Sequence, residues 1–103
     1  MNIKEIGKDS FKKEVLDEKE LVIVDFNANW CGPCRMMKPI LEDISTEKKD
    51  IKIVSVNVDE EEELAREYQV FSIPCLVFIR DGKEIKRSVG FTSKEELEKM
   101  IGE

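Results

Sequence analysis

Two cysteines separated by two residues, Cys31 and Cys34, stand in the run Trp30-Cys31-Gly32-Pro33-Cys34. At that spacing the sulfurs can close on each other without distorting the flanking backbone. A pair set where a strand hands over to a helix reads as a redox centre. The thiolate is the reacting form of cysteine, so a working pair needs its negative charge stabilised. A helix N-terminus does this through unpaired backbone N–H groups and the helix dipole. Cys31, at the expected helix start, is the exposed attacking thiol in this reading. Cys34, one turn inward, is the shielded thiol that acts second and resolves a mixed disulfide. Pro33 suits the first turn, where its missing N–H is no loss.

Three plainer readings compete. As a structural staple, so small a loop restricts the unfolded chain little and contributes only about 2 kcal/mol. As a zinc site, the pair supplies half the ligands, and the chain offers only Cys75 and no histidine to finish it. As inert core cysteines, the pair leaves Trp30, Gly32 and Pro33 unexplained. A carboxylate, Asp25, interrupts the apolar run Leu21-Val22-Ile23-Val24-Asp25-Phe26, where an ionised group is poorly solvated. That marks it as a general acid–base candidate, beside the plainer reading of a strand-end aspartate in water.

The elements that must position these groups alternate between strand and helix patterns. Residues 2–6 suit a short first strand, and Asp9 or Ser10 suits the cap of a helix with Phe11, Val15 and Leu16 on its apolar face. Residues 21–26 form a near-continuous apolar run, as expected of a strand covered on both faces. The next helix starts at Cys31 to Cys34 and carries Met37, Ile40, Leu41 and Ile44, with a kink expected at Pro39. Residues 51–58 are the third strand. Asp59 with Glu62 forms a capping-box-like start for a helix placing Leu64, Ala65 and Tyr68 inward. Residues 75–80 and 84–89 are strands joined by a hairpin at Asp81-Gly82. Ser93 with Glu96 caps a last helix that buries Leu97, Met100 and Ile101. The first three strands, linked through helices, are expected to be parallel, with antiparallel strands added by the hairpin.

At 103 residues the chain is expected to be one domain spanning residues 1–103. Its formal charge of −6 argues against general affinity for nucleic acid or an anionic membrane surface, which require a basic face. No apolar run approaches the length of a membrane span. The segment Met1 to Glu5 lacks the apolar core of a secretory signal, so a cytoplasmic location is expected.

Val24-Asp25-Phe26, Trp30-Cys31-Gly32-Pro33-Cys34, Ser72-Ile73-Pro74, Asp81-Gly82 and Val89-Gly90, in that order, resemble the thioredoxin family. The likeness covers the chain from first strand to last helix. It implies an α/β thioredoxin fold, a central mixed five-stranded sheet flanked by four helices. It also implies reversible dithiol–disulfide exchange with disulfide-containing protein substrates, without a bound cofactor and with electrons from a separate thioredoxin reductase; nothing in the sequence demands more than a monomer. Cys31 matches the family nucleophile and Cys34 the resolving cysteine. Asp25 matches the buried carboxylate that moves a proton to or from the second cysteine, and Pro74 matches a cis-proline facing the dithiol. Trp30, Gly32, Pro33, the backbone of Ile73, Pro74 and Gly90 would line a shallow groove for an extended substrate segment.

The pattern also departs from the family. Asn27 stands where many relatives carry a second tryptophan, and Asn29 precedes Trp30, so two amides are expected near the mouth of the site. Ser55 stands where some relatives place a lysine near the buried carboxylate, which should alter how Asp25 titrates. Arg35 replaces a common lysine and hydrogen-bonds differently. Cys75 follows Pro74 and reads as a small buried strand residue, the sharper alternative being a third redox-sensitive thiol. Met36 and Met37 read as helix packing, and Glu60 to Glu63 as a solvated helix start.

Two rivals to a reductant stand. An oxidase or isomerase of the same fold is disfavoured by the Gly-Pro pair, since strongly oxidising relatives often place a histidine there. A non-catalytic module that holds a partner in the same groove has no need of both cysteines.

Overall fold

Leu21 to Asn27 are all buried, which is why the apolar run shows no alternation: this strand is covered on both faces. The structure, a computed structural model, describes residues 3–102, so Asn2 of the expected first strand lies outside the described residues. The elements are β1 (Lys4–Glu5), α1 (residues 8–16), β2 (Leu21–Asn27), α2 (Gly32–Glu47), β3 (Ile51–Asn57), α3 (Glu62–Glu67), β4 (Cys75–Arg80), β5 (Lys83–Val89) and α4 (Lys94–Gly102). They build one five-stranded sheet in the order β1-β3-β2-β4-β5. β1, β3 and β2 run parallel, while β4 and β5 are antiparallel, as the connections through helices and the hairpin require. The expected mixed sheet and its flanking helices are therefore present.

Each face of the sheet has its own core. On one face Val22, Val24, Phe26, Val54, Val56 and Val77 pack with Phe11, Val15 and Leu64 from the helices. On the other, Ile23, Ile53, Leu76 and Phe78 pack with Met37, Leu41, Ile44 and Leu97. Full burial of each such side chain contributes roughly 1.5–3 kcal/mol, and β2 feeds both cores. Asp25 sits in that strand, with β3 on one side and β4 on the other.

Two expected caps are replaced by long-range partners. Neither Asp9 nor Ser10 caps α1, which begins at Lys8 after Gly7. The Lys8 amide instead donates to the Glu61 carboxylate at 3.0 Å, so an acid 53 residues away satisfies one of the orphan donors. Asp59 does not cap α3, whose N-cap is Glu61. The Asn57 side-chain oxygen takes the amides of Asp59 and Glu60 at 2.9 and 3.3 Å, which frees the Asp59 carboxylate for another partner. The Ser93 hydroxyl does accept the Glu96 amide, at 3.1 Å.

Three local details differ from simple periodicity. α1 widens into a π-helix over Lys12–Leu16, where the Asp17 amide reaches the Lys12 carbonyl. α2 continues through Pro39, which removes one helical hydrogen bond without ending the helix. Asp81 and Gly82 have φ of 54° and 78°, the left-handed pair that a two-residue hairpin needs. The register shifts between Phe78 and Ile79, which face Lys86 and Glu84, and leaves Ile85 bulged and exposed.

Candidate active site

The chain leaves β2 at Asn27 and enters α2 at Gly32, so the tight loop between them presents residues 28–31 at the carboxyl end of the central strand. Cys31 is the N-cap of α2, with φ −88° and ψ 111°. Its Sγ accepts the Cys34 amide at 3.2 Å, taking the place of a capping oxygen. Pro33 occupies the first turn, and no acidic residue lies there to oppose negative charge on sulfur. Cys31 and Cys34 are joined as a disulfide with Cα atoms 5.2 Å apart.

The expected exposure of Cys31 is corrected. It is only 4% exposed, because Ala28, Val58 and Ile73 pack around the pair, and Cys34 is deeper still. The Cys31 Sγ lies 3.9 Å from the Ile73 carbonyl oxygen. The Ile73–Pro74 peptide is cis, and Gly90, at φ 89°, donates its amide to the Pro74 carbonyl at 2.7 Å. Pro74 itself is buried. The structure thus brings Cys31, Cys34, Ile73, Pro74 and Gly90 to one end of the sheet.

Trp30 is 68% exposed, and its indole N–H donates to the Asp59 carboxylate at 2.8 Å. This is the partner that Asp59 takes instead of a helix. Arg35 donates to the Asn29 carbonyl at 2.7 Å, bracing the loop before Cys31. Exposed Phe71, Phe91 and Met36 add apolar surface on neighbouring segments. Met36 is therefore not helix packing, whereas Met37 is fully buried, with its Sδ accepting the Thr92 amide.

Asp25 is 2% exposed, and its Oδ1 has no hydrogen-bond partner. It lines a pocket of about 170 Å³ together with Ile3, Glu5, Lys38, Leu41, Glu42 and Ser55. Burial pushes its carboxyl up to about 7, and the positive charge of Lys38 opposes that rise. Asn27 is corrected from a residue at the mouth to a buried one. Its side-chain NH₂ donates to the Asp25 carbonyl at 2.8 Å and to the Ser55 hydroxyl at 2.7 Å, pinning β2 to β3 beside the carboxylate.

Cys75 faces the other core, packed with Phe26 and Val77. It is buried, and burial pushes its thiol up while Arg87, 3.9 Å away, partly opposes this. Among the described residues no group of three or more cysteine or acidic side chains is placed to hold a metal ion. In the acidic run, Glu61 accepts the Lys8 amide and Glu63 pairs with the Lys8 side chain.

A disulfide that caps a helix, beside a cis-proline and on a sheet with an orphaned buried carboxylate, defines a thiol–disulfide oxidoreductase. The family model named Thioredoxin matches residues 2–103. The chain is 42% identical over 88 residues to the thioredoxin of Mycoplasmoides gallisepticum, covering 85% of this chain and 88% of that protein. It is 46% identical over 89 residues to that of Mycobacterium tuberculosis, covering 85% and 77%. With thioredoxin H-type 1 of Nicotiana tabacum the identity is 48% over 91 residues, covering 88% and 71%. The chain belongs to the thioredoxin family and is a thiol–disulfide reductase. Disulfide-bearing proteins and a reductase are the family's general partners. Among the described residues, no helix is long and apolar enough to cross a membrane.

Proposed function

We propose that Cys31 is the attacking thiolate and Cys34 the resolving thiol of a protein-disulfide reductase. The observation that carries this assignment is the Cys34 amide directed at the Cys31 sulfur at the N-terminus of α2. Partial positive charge there favours the thiolate over the thiol. The Cys31 thiolate attacks one sulfur of a substrate disulfide; that bond breaks, and the departing substrate thiolate is protonated. Cys34 then loses its proton, attacks the Cys31 sulfur and releases the second substrate thiol. One substrate disulfide becomes two thiols while the protein dithiol becomes the Cys31–Cys34 disulfide.

Asp25 is the proton acceptor for Cys34, directly or through water in its pocket. A carboxyl brought to about 7 by burial holds or yields a proton near neutral pH. The groove is formed by Trp30, Gly32, Pro33, Ile73, Pro74 and Gly90. An extended substrate strand pairs there with the backbone before the cis-proline, a contact that makes little demand on substrate sequence. The protein works as a monomeric single domain over residues 1–103, in the cytoplasm, recharged by a thioredoxin reductase. Nucleic acid and membranes are not its partners, in keeping with the charge of −6.

The equilibrium potential of the Cys31–Cys34 couple tests this reading, with Trp30, the only tryptophan, as fluorescence reporter. A value of about −270 mV, the general figure for thioredoxins, is the expected result. A value of about −120 mV identifies an oxidant. A pair that does not titrate at all leaves a binding module.

A further inference from the structure

Asp25 meets no cation on its own sheet. Its register partners are Ser55 on β3 and Leu76 on β4, and neither carries charge. The Ser55 hydroxyl already accepts from Asn27, and the Asp25 Oδ1 has no hydrogen-bond partner. Of the charged groups at its pocket, Glu5 of β1 and Glu42 of α2 have the wrong sign to favour a carboxylate. Lys38 of α2 is the one lining residue of positive charge among the described residues.

Helix geometry explains how it comes to be there. Side chains four apart stand on one face of a helix, so Lys38 lies one turn beyond Cys34 on the stripe that continues to Leu41 and Glu42. Leu41 is buried against the sheet and holds that stripe toward Asp25. Lys38 is exposed as a residue, and its long stem allows a solvated ammonium to line the pocket mouth. The same helix that carries the disulfide at its start thus carries the only opposing charge that lines the pocket of the buried acid among the described residues.

We propose that Lys38 is a positioning residue for thiol–disulfide exchange, its ammonium favouring ionised Asp25 in a chain whose β3 offers serine at the facing position. This rests on the reading of Asp25 as proton acceptor. Without the cation, the carboxyl stays protonated to higher pH and accepts the Cys34 proton less readily. The ammonium acts through solvent at the pocket mouth, so its influence is screened by salt. Cys75, on the opposite face of the sheet, senses Asp25 but lines no part of the pocket.

The experiment uses the oxidised protein, in which Cys31 and Cys34 do not titrate. Unfolding free energy is followed against pH for the parent, K38M, K38R, D25N and D25N/K38M, each difference from the matching D25N background isolating Asp25. In the parent that difference changes with pH and levels off at the native midpoint of Asp25. In K38M the levelling point is expected to move up by roughly 0.5 to 1 on the pH scale. K38R is expected to restore it, and the shift is expected to shrink in about 1 M salt, where the Debye length falls to about 3 Å. The pH profile of insulin reduction by K38M moves in the same direction. If K38M levels off with the parent while D25N removes the titration, Lys38 has no such role and the Asp25 reading survives. If the titration persists in D25N, the group is not Asp25 and both readings fall.

Discussion

The indole N–H of Trp30 donates to the Asp59 carboxylate at 2.8 Å, tying the residue before Cys31 to the turn after β3. Trp30 is otherwise mostly exposed, so this bond restrains a ring that has little packing around it. A hydrogen bond to a charged acceptor contributes about 1.5–3 kcal/mol when sheltered and less in water. Asp59→Ala is therefore expected to lower Trp30 anisotropy and raise its quenching by acrylamide. The same change raises the KM for insulin by up to about fivefold, corresponding to about 1 kcal/mol. Unchanged anisotropy would show that the ring is held by packing alone.

Asp25 is expected to make the oxidised protein less stable as pH rises through neutrality. Its native value, about 7, lies above the ordinary 3.8, so between those values the folded state binds more protons than the unfolded chain. Stability from this group is fully present below about pH 4 and is lost as pH rises through about 7, on the order of 4 kcal/mol in all. Asp25→Asn is expected to be more stable than the parent by a few kcal/mol at about pH 8 and little different at about pH 4. Urea unfolding at the two pH values measures this. Equal stabilities at the higher pH would mean that Asp25 is not held protonated by burial.

Replacing the two cysteines separately should give different products. Cys34→Ser keeps the proposed attacking sulfur of Cys31 and is expected to accumulate a mixed disulfide with substrate. Cys31→Ser is expected to form none at a comparable rate. Non-reducing electrophoresis coupled to mass spectrometry of the linked peptides reads out the result. Trapping through Cys34 instead would reverse the assigned roles.

Cys75 is fully enclosed, and its thiol is pushed upward by burial. The reduced native protein should therefore give two equivalents with Ellman's reagent through the Cys31–Cys34 pair, which closes its own disulfide once one sulfur has attacked the reagent, with Cys75 reacting only on unfolding. Rapid reaction of all three in the native state would restore the alternative of a third redox-sensitive thiol.

Asn27 joins the two parallel strands beside the buried Asp25 carboxylate through a buried amide. Asn27→Ala removes these bonds and leaves the Ser55 hydroxyl without its donor. The expected cost is about 2 kcal/mol, or roughly 8–16 °C in Tm for a domain of this size. A loss below about 0.5 kcal/mol would place the residue among ordinary surface positions.

Much of this molecule was legible from local chemistry. The all-buried β2 appears as an unbroken apolar run, and Asp81-Gly82 demands a left-handed pair of residues. Cys31 and Cys34 lie at a spacing that needs only one helical turn to bring them together. Each of these rests on neighbours within a few residues, which is the range over which backbone sterics and helix geometry act. The cis peptide at Pro74 was legible only through resemblance to a family, since residue type alone favours trans.

Tertiary structure decided what depended on distant partners. Asn27 looked like an amide at the mouth and became a buried tie to Ser55, 28 residues away. Asp59 looked like a helix cap and became the acceptor for Trp30, 29 residues away, once Asn57 had taken the nearby amides. Cys31 lost its expected exposure to Ile73, which reaches it only when β4 docks against β2. Lys38 carries no signal of its own until α2 packs over the sheet and its stripe faces Asp25. Sequence patterns record which faces are apolar; which polar groups share a buried space is settled by packing, because desolvation forces each to find a partner among whatever the fold brings near.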